Sequence, residues 1–272
     1  MPNVASPAFQ APAPTRGKIP RDRWDRPLIM LPDGSRRVPY TRVTTLAKTM
    51  DDQSTLAAWR QRMTMLGMVQ APHLALAVAA ARNDRAKLTE LAQQALDAAQ
   101  AHSKAELGTA LHTITEAIDL GVDPGPIPAA YQADVDAYRK ATEAFEWLHT
   151  EQFIVVDDMQ VAGTADRIGL WRGRPVVADL KTGSVQYSGL AIGVQLACYA
   201  NGERYDEPTD QRFGMPEGLD LDTAVVIHLP VGEGRCVLYE VDIAAGYRAA
   251  LQSTVVRDIR RAAPKWLREV TA

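Results

Sequence analysis

Cysteine is scarce in this 272-residue chain: Cys198 and Cys236 are the only two, and neither belongs to a CxxC pair. That excludes a disulfide framework, a zinc finger and a cysteine-held iron–sulfur cluster, and leaves two reduced thiols. Long apolar runs are missing as well. None approaches the roughly 20 residues of a membrane span, and the N-terminus lacks the basic-then-apolar pattern of a secretion signal. The expectation is a cytosolic protein with no membrane association. Positive charge is not in excess either, since 30 Lys and Arg face 33 Asp and Glu for a net charge of −3. Bulk electrostatics therefore do not announce a nucleic-acid partner. The basic clusters are local, at Arg16 to Arg26, Arg36-Arg37, Arg257 to Arg261 and Lys265 to Arg268.

What is present is an ordinary globular composition, 46% hydrophobic, enough for a sizeable core. Residues 1–22 are rich in Pro and Ala and read as a flexible arm, because such a segment buries too little apolar surface to offset its ordering entropy. Asp33-Gly34-Ser35 marks a turn between strands at Leu28–Leu31 and Arg37–Tyr40. From Thr44 to about Leu120 the pattern is helical: Leu56, Trp59, Met63 and Leu66 recur at helical spacing, and Ala-rich stretches follow. A helix over 105–120 stops at Gly121, Pro124 to Pro128 form a loop, and another helix spans Tyr131 to Leu148. The character then changes. Strands are expected at Phe153–Val156, Val161–Trp171 and Arg174–Lys181, the last two joined by a tight turn at Arg172-Gly173. A helix over Ser188–Ala200, a hairpin from Thr223–Leu229 to Arg235–Val241, and a terminal helix from Ala244 to Ala262 complete the reading. The fold class is α/β or α+β, a small mixed sheet flanked by helices, with a helical N-terminal region over 23–104 and a core over 105–272.

Four short segments carry chemistry. In Val176-Val177-Ala178-Asp179-Leu180-Lys181-Thr182-Gly183, strand alternation puts Asp179 and Lys181 on one face and Val176, Ala178 and Leu180 on the other. A carboxylate and an ammonium at a strand end suit metal-assisted hydrolysis. Asp166, in Gly163-Thr164-Ala165-Asp166-Arg167-Ile168, lies on the preceding strand, where the tight turn brings it near Asp179. Two adjacent carboxylates call for a cation, unless Asp166 merely pairs with Arg167 or Arg174 at the surface. Gly108, His112 and Glu116 fall four residues apart on one helical face. There the glycine permits close approach at a cost of roughly 1 kcal/mol, and His112 could ligate a metal. Gln195 and Tyr199 share a later helical face, and an amide and a phenol can bind phosphate or stack on a base.

In that order and on those element types, Gly108…His112, Gly163…Asp166-Arg167-Ile168, Asp179-Leu180-Lys181-Thr182-Gly183 and Gln195…Tyr199 resemble the RecB-type branch of the PD-(D/E)XK nucleases. The resemblance spans residues 105 to 200. It implies a restriction-endonuclease-like core and a metal-dependent DNA exonuclease working by a two-metal mechanism, with ions about 3.5–4 Å apart, in recombination, repair or phage DNA processing. His112, Asp166, Asp179 and the backbone carbonyl of Leu180 would bind Mg2+ or Mn2+, with Glu116 and Glu151 as further candidates. Asp166, Asp179 and Lys181 would be catalytic, Lys181 positioning or activating the attacking water. Gln195 and Tyr199 would contact DNA or support the site, and Arg167 and Thr182 would bind DNA. The cysteines of the iron–sulfur relatives are lacking, so no cluster is expected. No Walker A motif is present, so any helicase or annealing partner would be a separate protein. The sequence leaves open the oligomeric state, an endonuclease of the same fold, and a catalytically silent DNA-binding or structural module.

Overall fold

The computed structural model describes residues 19–99 and 103–269. Most of the expected arm lies outside them. Its last residues, 19–22, lie against the body, where Arg21 bridges Pro27 and Ile19 packs on a core cluster. Leu28–Met30 (β1) and Arg37–Pro39 (β2) form an antiparallel hairpin around Gly34, whose φ of +70° suits glycine. Thr41–Arg42 (β3) and Val43–Ala47 (α1) follow, then Ser54–Gln70 (α2), His73–Ala80 (α3) and Arg85–Ala98 (α4). Asp84 caps α4 by accepting from Lys87 N–H. The helical N-terminal region is of two kinds. Val43, Leu46 and Ala47 of α1 belong to the main core, whereas Leu74, Leu91 and Ala95 of α3 and α4 make a small satellite cluster.

Ser103–Asp119 (α5) ends at Gly121 with φ +68°, the left-handed stop its sequence suggests. Ala129–Thr142 (α6) ends earlier than its sequence suggests. The expected helix to Leu148 is corrected here, because the chain turns into a twelve-residue strand, Phe145–Val156 (β4). Phe145 and Trp147 lie two apart and stack at 4.6 Å, and Phe145 stacks on Trp171 at 5.9 Å. This tertiary aromatic cluster overrides local helix preference. Val161–Trp171 (β5) and Arg174–Lys181 (β6) occupy the expected ranges. Gly189–Ala200 (α7) ends at Asn201, and an unanticipated hairpin follows, Glu203–Asp206 (β7) and Gln211–Phe213 (β8). Thr223–His228 (β9), Val237–Asp242 (β10) and Ile243–Ala262 (α8) close the chain.

Eight strands form one mixed sheet in the order β10-β9-β6-β5-β4-β7-β8, with β3 paired to β5. β6 runs parallel to β9 and β3 parallel to β5; the other pairings are antiparallel. Both faces are covered. Val177, Ala224 and Val226 pack toward α1, α7 and α8. Val176, Ala178, Leu180, Val225 and Ile227 pack toward Leu111 of α5 and Val135 and Tyr138 of α6. That alternation is the period-two pattern of a strand buried on both sides. One break in the sheet matters for function. β6 pairs with β5 over Arg167–Trp171, while β3 pairs at Val161 and Ala162. Between these two pairings, residues 163–166 of β5 have no strand partner on that side among the described residues, and Asp166 sits at the point of divergence. No single helix among the described residues is long and apolar enough to cross a membrane.

Candidate active site

The site is built where β5 and β6 part. Leu180 N–H donates to Asp166 Oδ2 at 3.0 Å, so a side chain replaces a ladder partner there. Asp179 lies on the adjoining strand, 1% exposed. Lys181 shares its face, as alternation predicts, with Nζ 2.6 Å from Asp179 Oδ2. The ammonium offsets part of the Asp179 charge, and Oδ2 is buried against it. Gln195 of α7 bridges the pair, its Nε2 donating to Asp179 Oδ1 at 3.1 Å and its Oε1 accepting from Lys181 Nζ at 3.4 Å.

On the other side of Asp166, α5 and β4 contribute His112 and Glu151. His112, Glu151 and Asp166 each offer a ligand atom, all within 4.8 Å of one another, and His112 Nδ1 lies 3.6 Å from Asp166 Oδ2. Glu151, a secondary candidate in sequence, joins this cluster, and Glu116 does not. Glu151 adopts φ +49° within a strand. A non-glycine residue held there costs on the order of 1–3 kcal/mol, and such residues concentrate at functional sites.

Electrostatics fit a cation. Burial raises the Asp166 carboxyl. Asp179 is pushed up to about 6, first by burial and then by the charge of Asp166, against the pull of Lys181. Two neighbouring acids that resist ionisation are stabilised as anions by a divalent metal. Burial, then the Arg167 charge, lowers the His112 imidazole, while a hydrogen bond to the Leu180 backbone opposes this. The imidazole is thereby kept neutral and competent as a ligand. Oxygen donors with one imidazole suit a divalent cation.

The glycines of the motifs have physical causes. A Cβ at Gly108 would collide with Thr182 Oγ1, so the glycine lets α5 sit against the loop after Lys181. A Cβ at Gly163 would meet the Tyr199 hydroxyl at 3.0 Å. Arg167 and Tyr199, expected to contact DNA, are both buried. Arg167 is 2% exposed. Its Nε pairs with Asp119 at 2.5 Å and its Nη2 donates to Thr115 at 2.8 Å, so the guanidinium is spent inside the fold. Tyr199 is 2% exposed and lies beneath the site against Gly163, out of reach of a base. The alternative in which Asp166 pairs with Arg167 or Arg174 does not hold, since those arginines pair with Asp119 and Asp220.

Sequence reasoning passed over His228. It is opposite Lys181 in the β6–β9 ladder, 8% exposed, with Nε2 3.0 Å from the Gly183 carbonyl. A histidine ending an apolar strand gives no signal of that contact. No curated protein matches the sequence. A family model described as the PD-(D/E)XK nuclease superfamily matches residues 71–215. That span is more than half the chain and contains every residue of the acidic cluster and the Lys181–Gln195 pair. With the mixed sheet and the paired carboxylates at its divergence, the match makes this chain a member of the PD-(D/E)XK nuclease superfamily.

Proposed function

We propose that this chain is a Mg2+- or Mn2+-dependent DNA exonuclease of the RecB-type branch, hydrolysing phosphodiester bonds by a two-metal mechanism. The observation that carries the reading is the juxtaposition of Asp166, Asp179 and Lys181 beside His112 and Glu151. His112, Glu151 and Asp166 would hold the metal, with Asp179 and the Leu180 carbonyl completing its surroundings. Bound metal would polarise the scissile phosphate and make water a competent nucleophile at neutral pH. Lys181 would orient that water and counter charge building on the phosphate. Gln195 would fix the Lys181 ammonium relative to Asp179 through its two contacts. Water oxygen would bond to phosphorus as one of its protons passes to solvent, the P–O bond to the sugar 3′-oxygen would break with that oxygen taking a proton from solvent, and the product would carry a 5′-phosphate. Thr182 would line the approach of the DNA.

The test is digestion of end-labelled linear DNA with Mg2+, Mn2+ or EDTA, wild type beside Lys181→Ala. Metal-dependent loss of label that the substitution lowers at least 100-fold supports the reading. A folded, metal-loaded wild type that leaves both single- and double-stranded DNA intact would sink it. Covalently closed circular DNA separates the modes, since an exonuclease leaves it whole.

A further inference from the structure

Residues 181–183, where β6 ends, touch both halves of the site. Lys181 faces Asp179. A Cβ at Gly108 would collide with Thr182 Oγ1, so α5 lies directly on this strap one turn before His112. The depth at which His112 enters the acidic cluster therefore depends on where the strap runs. Two consecutive residues at the end of β9 hold it. Leu229 N–H donates to the Lys181 carbonyl at 2.9 Å. Beyond that rung the Gly183 carbonyl is met by a side chain, with His228 Nε2 at 3.0 Å. His228 is paired with Lys181 in the β6–β9 ladder, so the two side chains share a face of the sheet on strands about 4.8 Å apart. The imidazole is 8% exposed, and its Nδ1 is buried with no hydrogen-bond partner among the described residues. An aliphatic residue, like Val225, Val226 and Ile227 before it, would fill the strand end without burying an unmatched nitrogen. What histidine adds there is the N–H for Gly183. None of the four sequence motifs includes this residue.

We infer that His228 is a positioning residue of the active site. Its N–H fixes the 181–183 strap, and the strap, through Thr182 against Gly108, sets His112 relative to Lys181. The inference rests on the nuclease reading above for the roles of His112 and Lys181. It goes beyond that reading by tying the metal ligand and the water-orienting lysine to one contact made from β9.

Metal affinity, read apart from cleavage, tests this. Mn2+ is titrated calorimetrically into DNA-free wild type, His228→Ala, His228→Leu and His228→Gln. Cleavage of linear DNA at saturating Mn2+ is then followed over a range of DNA concentrations. Alanine and leucine both lack the N–H, leucine keeps the bulk, and glutamine supplies an N–H near the place of Nε2. In the Ala and Leu variants Mn2+ binding should weaken roughly tenfold and kcat should fall about 10- to 100-fold. KM for DNA should stay near the wild-type value, and Gln should restore both Mn2+ affinity and kcat. In a Thr182→Ala background His228→Leu should cost little more, because the link to Gly108 is already cut. Circular dichroism identifies a misfolded variant, and if alanine unfolds the protein, leucine decides. Folded Ala or Leu variants that bind Mn2+ as tightly as wild type, or a folded Gln variant as impaired as Leu, overturn the inference and leave the nuclease reading standing. A wild type whose Mn2+ affinity depends on His228 in this way, yet which cleaves nothing, refutes the nuclease reading alone. A wild type that binds no Mn2+ overturns both.

Discussion

Replacing Asp179 with Asn should inactivate the protein and, without metal, stabilise it. Asp179 is fully buried, and its carboxyl is pushed from the ordinary 3.8 up to about 6 by burial and the Asp166 charge, despite Lys181. Because the folded value is raised, the folded state holds its proton longer than the unfolded chain. Stability therefore falls as pH rises from about 4 to about 6, and the loss is complete above the folded value. At neutral pH the ionised carboxylate costs about 3 kcal/mol. Asn has the shape of the protonated acid and avoids that cost. In EDTA at pH 7.5 the variant should melt roughly 5–10 °C above wild type. The gain should shrink through pH 6 and vanish near pH 4. Saturating Mg2+ should reverse the order, since a ligand at 100 times its Kd adds about 2.7 kcal/mol to the protein that binds it. Melting curves by circular dichroism at three pH values, with EDTA or Mg2+, suffice. An Asn variant no more stable than wild type in EDTA at pH 7.5, or a gain independent of pH, refutes the reasoning.

Gln195→Ala should keep the fold and lower kcat about 10- to 100-fold, because it frees both Lys181 and Asp179 from their shared bridge; single-turnover cleavage rates report it. Arg167→Ala should cost about 3–5 kcal/mol in urea unfolding by leaving Asp119 buried and unpaired, and the fraction still folded should bind DNA with unchanged affinity. A weakened affinity there would return Arg167 to the DNA surface. His228→Gln retains an N–H for the Gly183 carbonyl and His228→Ala does not, so cleavage should fall for Ala and recover for Gln. Equal rates in the two variants would show that the contact does not position the loop.

The β5–β6 hairpin was legible because its signals are local. β-branched runs flank Arg172-Gly173, whose φ values of 52° and 79° are those a two-residue hairpin turn requires. Strand alternation likewise gave Asp179 and Lys181 a common face, and helical spacing put Gly108 one turn from His112. The losses are non-local. Whether the arginine of the Asp-Arg-Ile segment reaches DNA is decided by Asp119, 48 residues earlier, which captures it in the interior. Tyr199 reads equally as a DNA contact or a support of the site, and only Gly163, which makes room for it, shows that it lies in the interior. The β4 aromatics continue a helix in pattern and join a strand only because Trp171 waits for them. Glu151 gives no periodic signal at all, since its contribution depends on a left-handed backbone within a strand.

Burial of charge is not in itself what marks the site. Arg167 and Asp119 are each 2% exposed, and Tyr138 and Thr115 add hydrogen bonds to them. That pair is satisfied and asks for nothing further. A few residues away the accounts do not balance. Asp179 stays raised despite Lys181, Asp166 is held beside it against its own desolvation, and Glu151 is held at φ +49° next to Asp166. Local rules are broken three times within one site and kept through most of the surrounding sheet, the pattern expected where function opposes stability. All three departures concern negative charge gathered in a buried place. The positive charges of Lys181 and Arg167 are present, and Asp179 stays well above the ordinary carboxylate range despite Lys181. A divalent metal, which takes several oxygen ligands at once, is the cation such a cluster accommodates.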